Sequence, residues 1–194
     1  MINFEGGLAH LEQFLLRSMD TGRQPIVVID GRAGSGKTRL ALELQGRIFE
    51  AERVAPRVLH MDDLYSGWEG LAAGSRYLVT NILQPFTTNR KASWQIWNWS
   101  KSERGSESEP GNGWREFEGG VPLIIEGCGS LSRASREMSD FSVWVESEVP
   151  TRRERLRVRD GSKFDEFWPT WAIQEDEFYQ AEKSQELADL VISN

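Results

Sequence analysis

The stretch "PIVVIDGRAGSGKT", Pro25–Thr38, decides the fold. Pro25 opens an apolar run rich in β-branched residues, which Gly31 ends, and the run reads as a buried strand. Leu40, Leu44 and Ile48 then recur at steps of four and predict a helix that stops before Pro56. Between strand and helix, Gly31, Arg32, Ala33, Gly34, Ser35, Gly36, Lys37 and Thr38 satisfy G-x-x-x-x-G-K-[ST]. Glycines let the backbone turn tightly and bring its N–H groups close to an anion. The helix that follows offers unpaired N–H groups and the positive end of its dipole. Lys37 adds a full charge where β- and γ-phosphates would lie, and Thr38 offers a hydroxyl to Mg²⁺. Residues 31–38 are therefore expected to cradle a nucleoside triphosphate, with ATP and Mg²⁺ as the implied cofactors.

Outward from this loop, helices and strands alternate. Phe4, Leu8, Leu11, Phe14, Leu15 and Met19 predict an amphipathic helix over 3–19. Strands are expected at 57–61 ("RVLHM"), 121–127 ("VPLIIEG"), 141–146 ("FSVWVE") and 188–193 ("ADLVIS"). Leu71, Leu78, Ile82 and Leu83 suggest a helix ending at Pro85, 151–159 reads as a basic helix, and another helix is expected from about Pro169. Strands that are apolar throughout and alternate with helices predict an α/β fold: a parallel sheet covered on both faces. The 194 residues fit one domain. Residues 87–112 are polar and suit a long mobile loop or partial disorder. The "WQIWNW" just before its most polar part either covers a pocket or packs the base of that loop.

Charge and composition narrow the function. A net charge of −7 argues against a nucleic-acid partner. No apolar run approaches membrane-span length, and the N-terminus lacks a basic start followed by an apolar stretch. A single cysteine, Cys128, permits no disulfide within the chain and suits a reducing, cytoplasmic setting. An N-K-x-D guanine motif is absent, and the strand 121–125 ends in Glu126 alone rather than in an acid pair. These features favour a small-molecule kinase over a GTPase switch or a motor ATPase.

The second informative stretch is "HMDDLYSGWEGL", His60–Leu71. Asp62 and Asp63 follow a strand at its C-terminal end, the edge where open α/β sheets bind ligands. A carboxylate there can orient an acceptor hydroxyl, take its proton, or hold Mg²⁺. Asp62 and Glu126 are the candidates beside the metal, together with Thr38. Arg152, Arg153, Arg155, Arg157 and Arg159 crowd into eight residues. On a helix Arg155 and Arg159 share a face and could close over transferring phosphates, whose oxygens guanidinium forks suit. The other reading is a solvated helix with its arginines paired to neighbouring acids.

Taken together, "IDGRAGSGKT", "MDDLY", "LIIEG", "RRERLRVRDG" and "ADLVI" resemble the uridine kinase and phosphoribulokinase group of P-loop kinases, in the right order along the chain. The resemblance implies a five-stranded parallel sheet and a mobile lid, here about 151–165; the acceptor-region insertion at about 85–113 departs from the group, and its polar stretch 101–113 has no counterpart there. It also implies that Asp62 activates the acceptor hydroxyl, that Tyr65 lines the acceptor pocket and that Glu126 lies near Mg²⁺. Asp63, Trp97 and Asn98 are further acceptor-side candidates; Asn98 stands where the resemblance expects an aspartate. The implied activity is transfer from ATP to a hydroxyl of a small molecule, first of all a nucleoside or ribose-like compound. A sugar acid, another polyol or a nucleoside monophosphate comes next, and an ATP-binding regulator with no acceptor is the competing class. Asp30 reaches the metal shell or fixes local hydrogen bonds. Cys128 is expected to be a small packed residue, and His60 to lie in or near the core.

Overall fold

The computed structural model describes residues 1–88, 90–105 and 113–194, with side chains given for all of these except 162–164. Its centre is a parallel sheet of six strands in the order β1-β10-β9-β2-β8-β3. These strands are β1 (Ile2–Asn3), β2 (Ile26–Asp30), β3 (Arg57–His60), β8 (Leu123–Glu126), β9 (Phe141–Glu146) and β10 (Leu190–Ser193). Five of them match the sequence expectation. The sixth, β1, lies outside that expectation, which places its second residue, Asn3, in the first helix; its two residues pair with Ile192 and Ser193 before α1 (Phe4–Asp20) begins. Asn3 caps α1 by accepting from Gly6 N, so the helix starts one residue later than its apolar pattern suggests.

β2 is buried over its whole length, with Val27 and Ile29 on one face and Ile26 and Val28 on the other. The first pair packs with Leu8, Leu11 and Leu15 of α1 and Leu40, Leu44 and Ile48 of α2 (Lys37–Glu52). The second packs with Leu59, Leu78, Ile82, Ile125 and Trp171. Two cores, one per face, explain why the strand carries no polar alternation. The chain leaves β2 for β3 on one side, while β9 lies on the other, so the strand order reverses beside β2. A crevice opens at such a reversal, at the carboxyl ends of the strands.

Three other elements differ from expectation. α3 (Leu71–Tyr77) runs through a widened helical stretch at Leu78–Leu83 into α4 (Gln84–Thr87), so the helix passes Pro85 instead of ending there. The widened turns accommodate a residue that has no N–H for a regular ladder. Much of the polar segment is folded: β4 (Ala92–Gln95) pairs antiparallel with β7 (Trp114–Phe117), and β5 (Trp97–Asn98) with β6 (Glu103–Arg104). Strands of two to four residues escape a periodicity argument; residues 89 and 106–112 of that segment lie outside the described residues. Finally, α7 spans Ser162–Glu182, with Pro169 inside it rather than at its start. The basic segment is α6 (Val149–Asp160), separated from α7 by Gly161. The short helices α5 (Arg133–Glu137) and α8 (Ser184–Leu187) complete the fold. Among the described residues no helix is long and apolar enough to cross a membrane.

Candidate active site

The loop after β2 is held open from below. Asp30, fully buried, takes N–H bonds from Gly31 (2.6 Å), Gly129 (3.1 Å) and Leu131 (2.7 Å) and the Tyr179 hydroxyl (2.8 Å). Of the two roles open to it, Asp30 takes the local one: it ties β2 to the loop after β8. Burial raises its carboxyl to about 6 despite these donors. Gly34 and Gly36 sit at φ +79° and +102°, a region that favours glycine. A Cβ on Gly34 would come within 2.6 Å of Arg152 O. The N–H groups of Gly34, Gly36, Lys37 and Thr38 have no acceptor among the described residues. Unpaired donors at the start of a sixteen-residue helix are what an anion cradle requires, so these residues fit a bound phosphate.

Lys37 lies across the inside of the loop. Its Nζ donates to Gly31 O (2.7 Å) and Arg32 O (3.0 Å) and lies 3.5 Å from Cys128 Sγ. Burial works to lower its ammonium, but Cys128 Sγ, Glu126, Asp30 and Glu175 together hold it above its ordinary value. Cys128 is buried, and burial pushes its thiol up, in keeping with a packed residue rather than a reactive one.

The acids expected beside the metal come together. Thr38 Oγ1 donates to Glu126 Oε1 (3.1 Å), and His60 Nδ1 lies 2.6 Å from the same oxygen. That hydrogen bond raises the His60 imidazole. Asp62, in the turn after β3, lines the same cavity as Lys37, Thr38 and Glu126. Its side chain is open to the cavity yet surrounded by protein on most sides. Burial, with the nearby Glu126 charge, pushes its carboxyl up against the pull of Arg159, Lys37 and His60. Among the described residues, no group of three or more His, Cys, Asp and Glu side chains could by itself hold a metal ion. Thr38 and Glu126 do fit a Mg²⁺ that takes its remaining ligands from phosphates and water.

The cavity, of ≈ 400 Å³, has its opposite wall made of aromatic rings: Tyr65, Trp68, Trp99, Trp168 and Trp171. Trp68 meets Trp99 edge-on at 5.2 Å, stacks on Phe167 at 4.6 Å and lies perpendicular to Trp171. Tyr65 lines this wall with its ring, but its hydroxyl donates to Cys128 O (2.7 Å). Trp99 Nε1 donates to Asp62 O (3.0 Å) and pins the "WNW" segment against the turn carrying Asp62.

Several expected site residues stand elsewhere. Trp97 and Asn98 do not line the cavity. Asn98 Oδ1 instead accepts from Ser100 N, Ser100 Oγ and Lys101 N and closes a turn, and the Arg104 guanidinium lies 5.9 Å from the Trp97 ring. Trp99, two residues on, is the tryptophan of that segment that reaches the cleft. Asp63 faces His60 and Arg115 instead of the cavity. Arg32 turns away from the loop's mouth to pair with Asp176 (2.6 Å). Arg155 and Arg159 both line the cavity. Arg155 Nη1 donates to Gly34 O (3.2 Å), and Arg159 is held by both oxygens of Asp160 (2.7 and 2.9 Å). Arg152, fourth from α6's start, is buried and donates to Ala33 O (3.2 Å).

Neither a family model nor a curated protein matches the sequence. Solved structures do match the fold. A possible uridine kinase from Bacillus stearothermophilus aligns at a TM-score of 0.62 and 19% identity, over 96% of this chain and 99% of that one. A protein from Silicibacter sp. TM1040 named as a candidate fructose transport system kinase aligns at 0.55 and 19% identity, over 95% and 98%. The YGR205w protein aligns at 0.52 and 11% identity, over 100% and 94%. The chain thus has the fold of the uridine kinase-like P-loop kinases, with a sixth short strand at the edge of the sheet.

Proposed function

We propose that the protein is an ATP- and Mg²⁺-dependent kinase that phosphorylates a hydroxyl of a small molecule, in the first place a nucleoside or ribose-like compound. One observation carries the reading: unpaired loop amides, the Thr38–Glu126 pair, the Asp62 carboxylate and an aromatic wall all face a single cavity. The amides of Gly34, Gly36, Lys37 and Thr38 and the Lys37 ammonium hold the phosphates of ATP. Thr38 and Glu126, with Asp62 close by, hold Mg²⁺, which when bound neutralises phosphate charge. Asp62 orients the acceptor hydroxyl and receives its proton. Its raised pKa suits a base, because a carboxyl nearer neutrality takes a proton more readily. The aromatic wall receives the body of the acceptor. Arg159, already within electrostatic reach of Asp62, is better placed than Arg155 to meet the transferred phosphoryl group from the lid.

The test is release of ADP from Mg·ATP in the presence of nucleosides, pentoses, polyols and sugar acids. The kinase reading expects at least one class to speed release about tenfold or more. Tight Mg·ATP binding with no acceleration across the panel would favour a nucleotide-binding regulator instead.

A further inference from the structure

We propose that helix α7 sets the register between the two halves of the cleft, with Glu175 and Gln174 as its positioning residues. Within about two turns this helix holds both the phosphate loop and the acceptor-side segment. On the loop side, Glu175 Oε1 accepts from Ala33 N (2.6 Å) and Cys128 Sγ (3.3 Å). The Tyr179 hydroxyl lies 3.2 Å from Gly31 O. Asp176 pairs with Arg32 at 2.6 Å, and Glu175 Oε2 lies 3.7 Å from the same guanidinium. Arg32 and Ala33 are thus fastened to α7 directly, and Gly31 through Asp30, whose Oδ1 takes both the Gly31 N–H and the Tyr179 hydroxyl.

On the acceptor side, Gln174 Nε2 donates to Trp68 O (2.7 Å), and its Oε1 accepts from Leu71 N (3.2 Å). Trp171 packs edge-on against Tyr65 at 4.8 Å and against Trp68. Trp68 in turn meets Trp99, whose indole N–H holds the backbone of Asp62.

Glu175 is fully buried beside the phosphate loop, with the Arg32 guanidinium 3.7 Å from its Oε2. A buried polar group is costly unless it is bonded. Glu175 Oε1 supplies the acceptor that the Ala33 amide has among the described residues, which keeps that amide turned away from the phosphate cradle. Neighbouring residues of one helix, 174 and 175, therefore fix the acceptor wall and the donor loop respectively. A shift of the loop on nucleotide binding is passed through α7 to Trp68. In-line transfer tolerates little misplacement between nucleophile and phosphate, so a shared strut has a catalytic use.

The reading of the cleft as a nucleotide and acceptor site underlies this inference. The test needs no acceptor. Mg·ADP affinity is measured by calorimetry, tryptophan emission is followed as Mg·ADP is added, and thermal unfolding is recorded for each variant. Glu175→Ala is expected to weaken Mg·ADP about tenfold or more, the loss of one well-made hydrogen bond to the loop. Glu175→Gln keeps an oxygen for Ala33 N–H and is expected to recover affinity to within about threefold of the parent. Gln174→Ala should leave affinity within about threefold and abolish the nucleotide-induced emission change. Should Glu175→Ala fail to fold, Tyr179→Phe takes its place, with an expected loss of about threefold.

A folded Glu175→Ala protein with parental affinity overturns the inference, as does a Glu175→Gln protein as weak as Glu175→Ala, or an emission change that survives Gln174→Ala. These results leave the kinase reading standing. Failure to find any accelerating acceptor overturns the kinase reading and leaves α7's role intact. A parent protein that binds no Mg·ADP overturns both.

Discussion

The loop Gly31–Thr38 presents its backbone to the cleft, whereas the facing wall presents side chains. In the loop, consecutive amides converge because glycines at positive φ and a helix start force them to, and eight adjacent residues suffice. The facing wall draws Tyr65 and Trp68 from one loop, Trp99 from a β-hairpin segment and Trp168 and Trp171 from α7. The first arrangement suits a ligand common to many proteins, because a phosphate asks for donors and charge alone. The second suits a ligand particular to this one, since rings from distant segments can be re-sorted without disturbing the cradle.

That division can be broken or sharpened by substitution. Asp62→Asn, at the boundary, is expected to lower acceptor-dependent turnover by about 10²–10⁴-fold, the range for a lost general base. Calorimetry should find Mg·ATP affinity nearly unchanged; equal losses in both would erase the distinction between the halves. Lys37→Met should act on the donor side instead and weaken Mg·ATP about 10²-fold, from the loss of charge-assisted hydrogen bonds.

A third expected effect lies beneath the loop. The folded protein keeps the Asp30 proton up to about pH 6, while the unfolded chain releases it near 3.8. Between those values the native state binds more protons, so stability falls as pH rises. For this group alone the loss is at most about 3 kcal/mol, complete above pH ~6. Denaturant unfolding at a series of pH values from about 4 to about 7 reads that slope, and Asp30→Asn should flatten it.

Gly34→Ala forces a side chain into a left-handed residue and toward Arg152 O. About 1–3 kcal/mol of lost stability is expected by thermal or denaturant unfolding, with the loop's nucleotide affinity falling alongside. The smallest change is expected from Trp99→Phe, which gives up one N–H bond to Asp62 O, worth about 1 kcal/mol. It should raise the acceptor KM and leave Mg·ATP binding alone.

The same contrast explains what could be read from the chain. The cradle was legible because its signal is contiguous: an apolar strand, spaced glycines, a lysine, then a leucine-spaced helix. Asp62, Thr38 and Glu126 were legible because each closes or follows a strand at the sheet's carboxyl edge. The aromatic wall was legible only in part: Tyr65 is expected there, but Trp68, Trp168 and Trp171 are not. "WQIWNW" announces tryptophans, but which one turns inward depends on the pairing of Trp97 with Arg104 and on the turn that Asn98 closes, a hairpin of two-residue strands too short to leave a periodic signal. Glu175 left a fainter trace. Trp171, Glu175 and Tyr179 lie four apart, so an acid falls between two aromatics on the inward face of α7. An acid on a buried stripe asks for a partner, and the partner, Ala33 N–H, lies 142 residues away.

The placement of β10 between β1 and β9 carries a consequence for biosynthesis. Ile2 and Asn3 pair with Ile192 and Ser193, at the far end of a long sequence separation, so this edge of the sheet gains its neighbour only once β10 has been synthesised. The helix that follows that edge shields a core completed by Ile192. During vectorial synthesis the apolar face of α1 therefore waits for β10 to cover that flank, a non-local pairing of the kind that is slow to form.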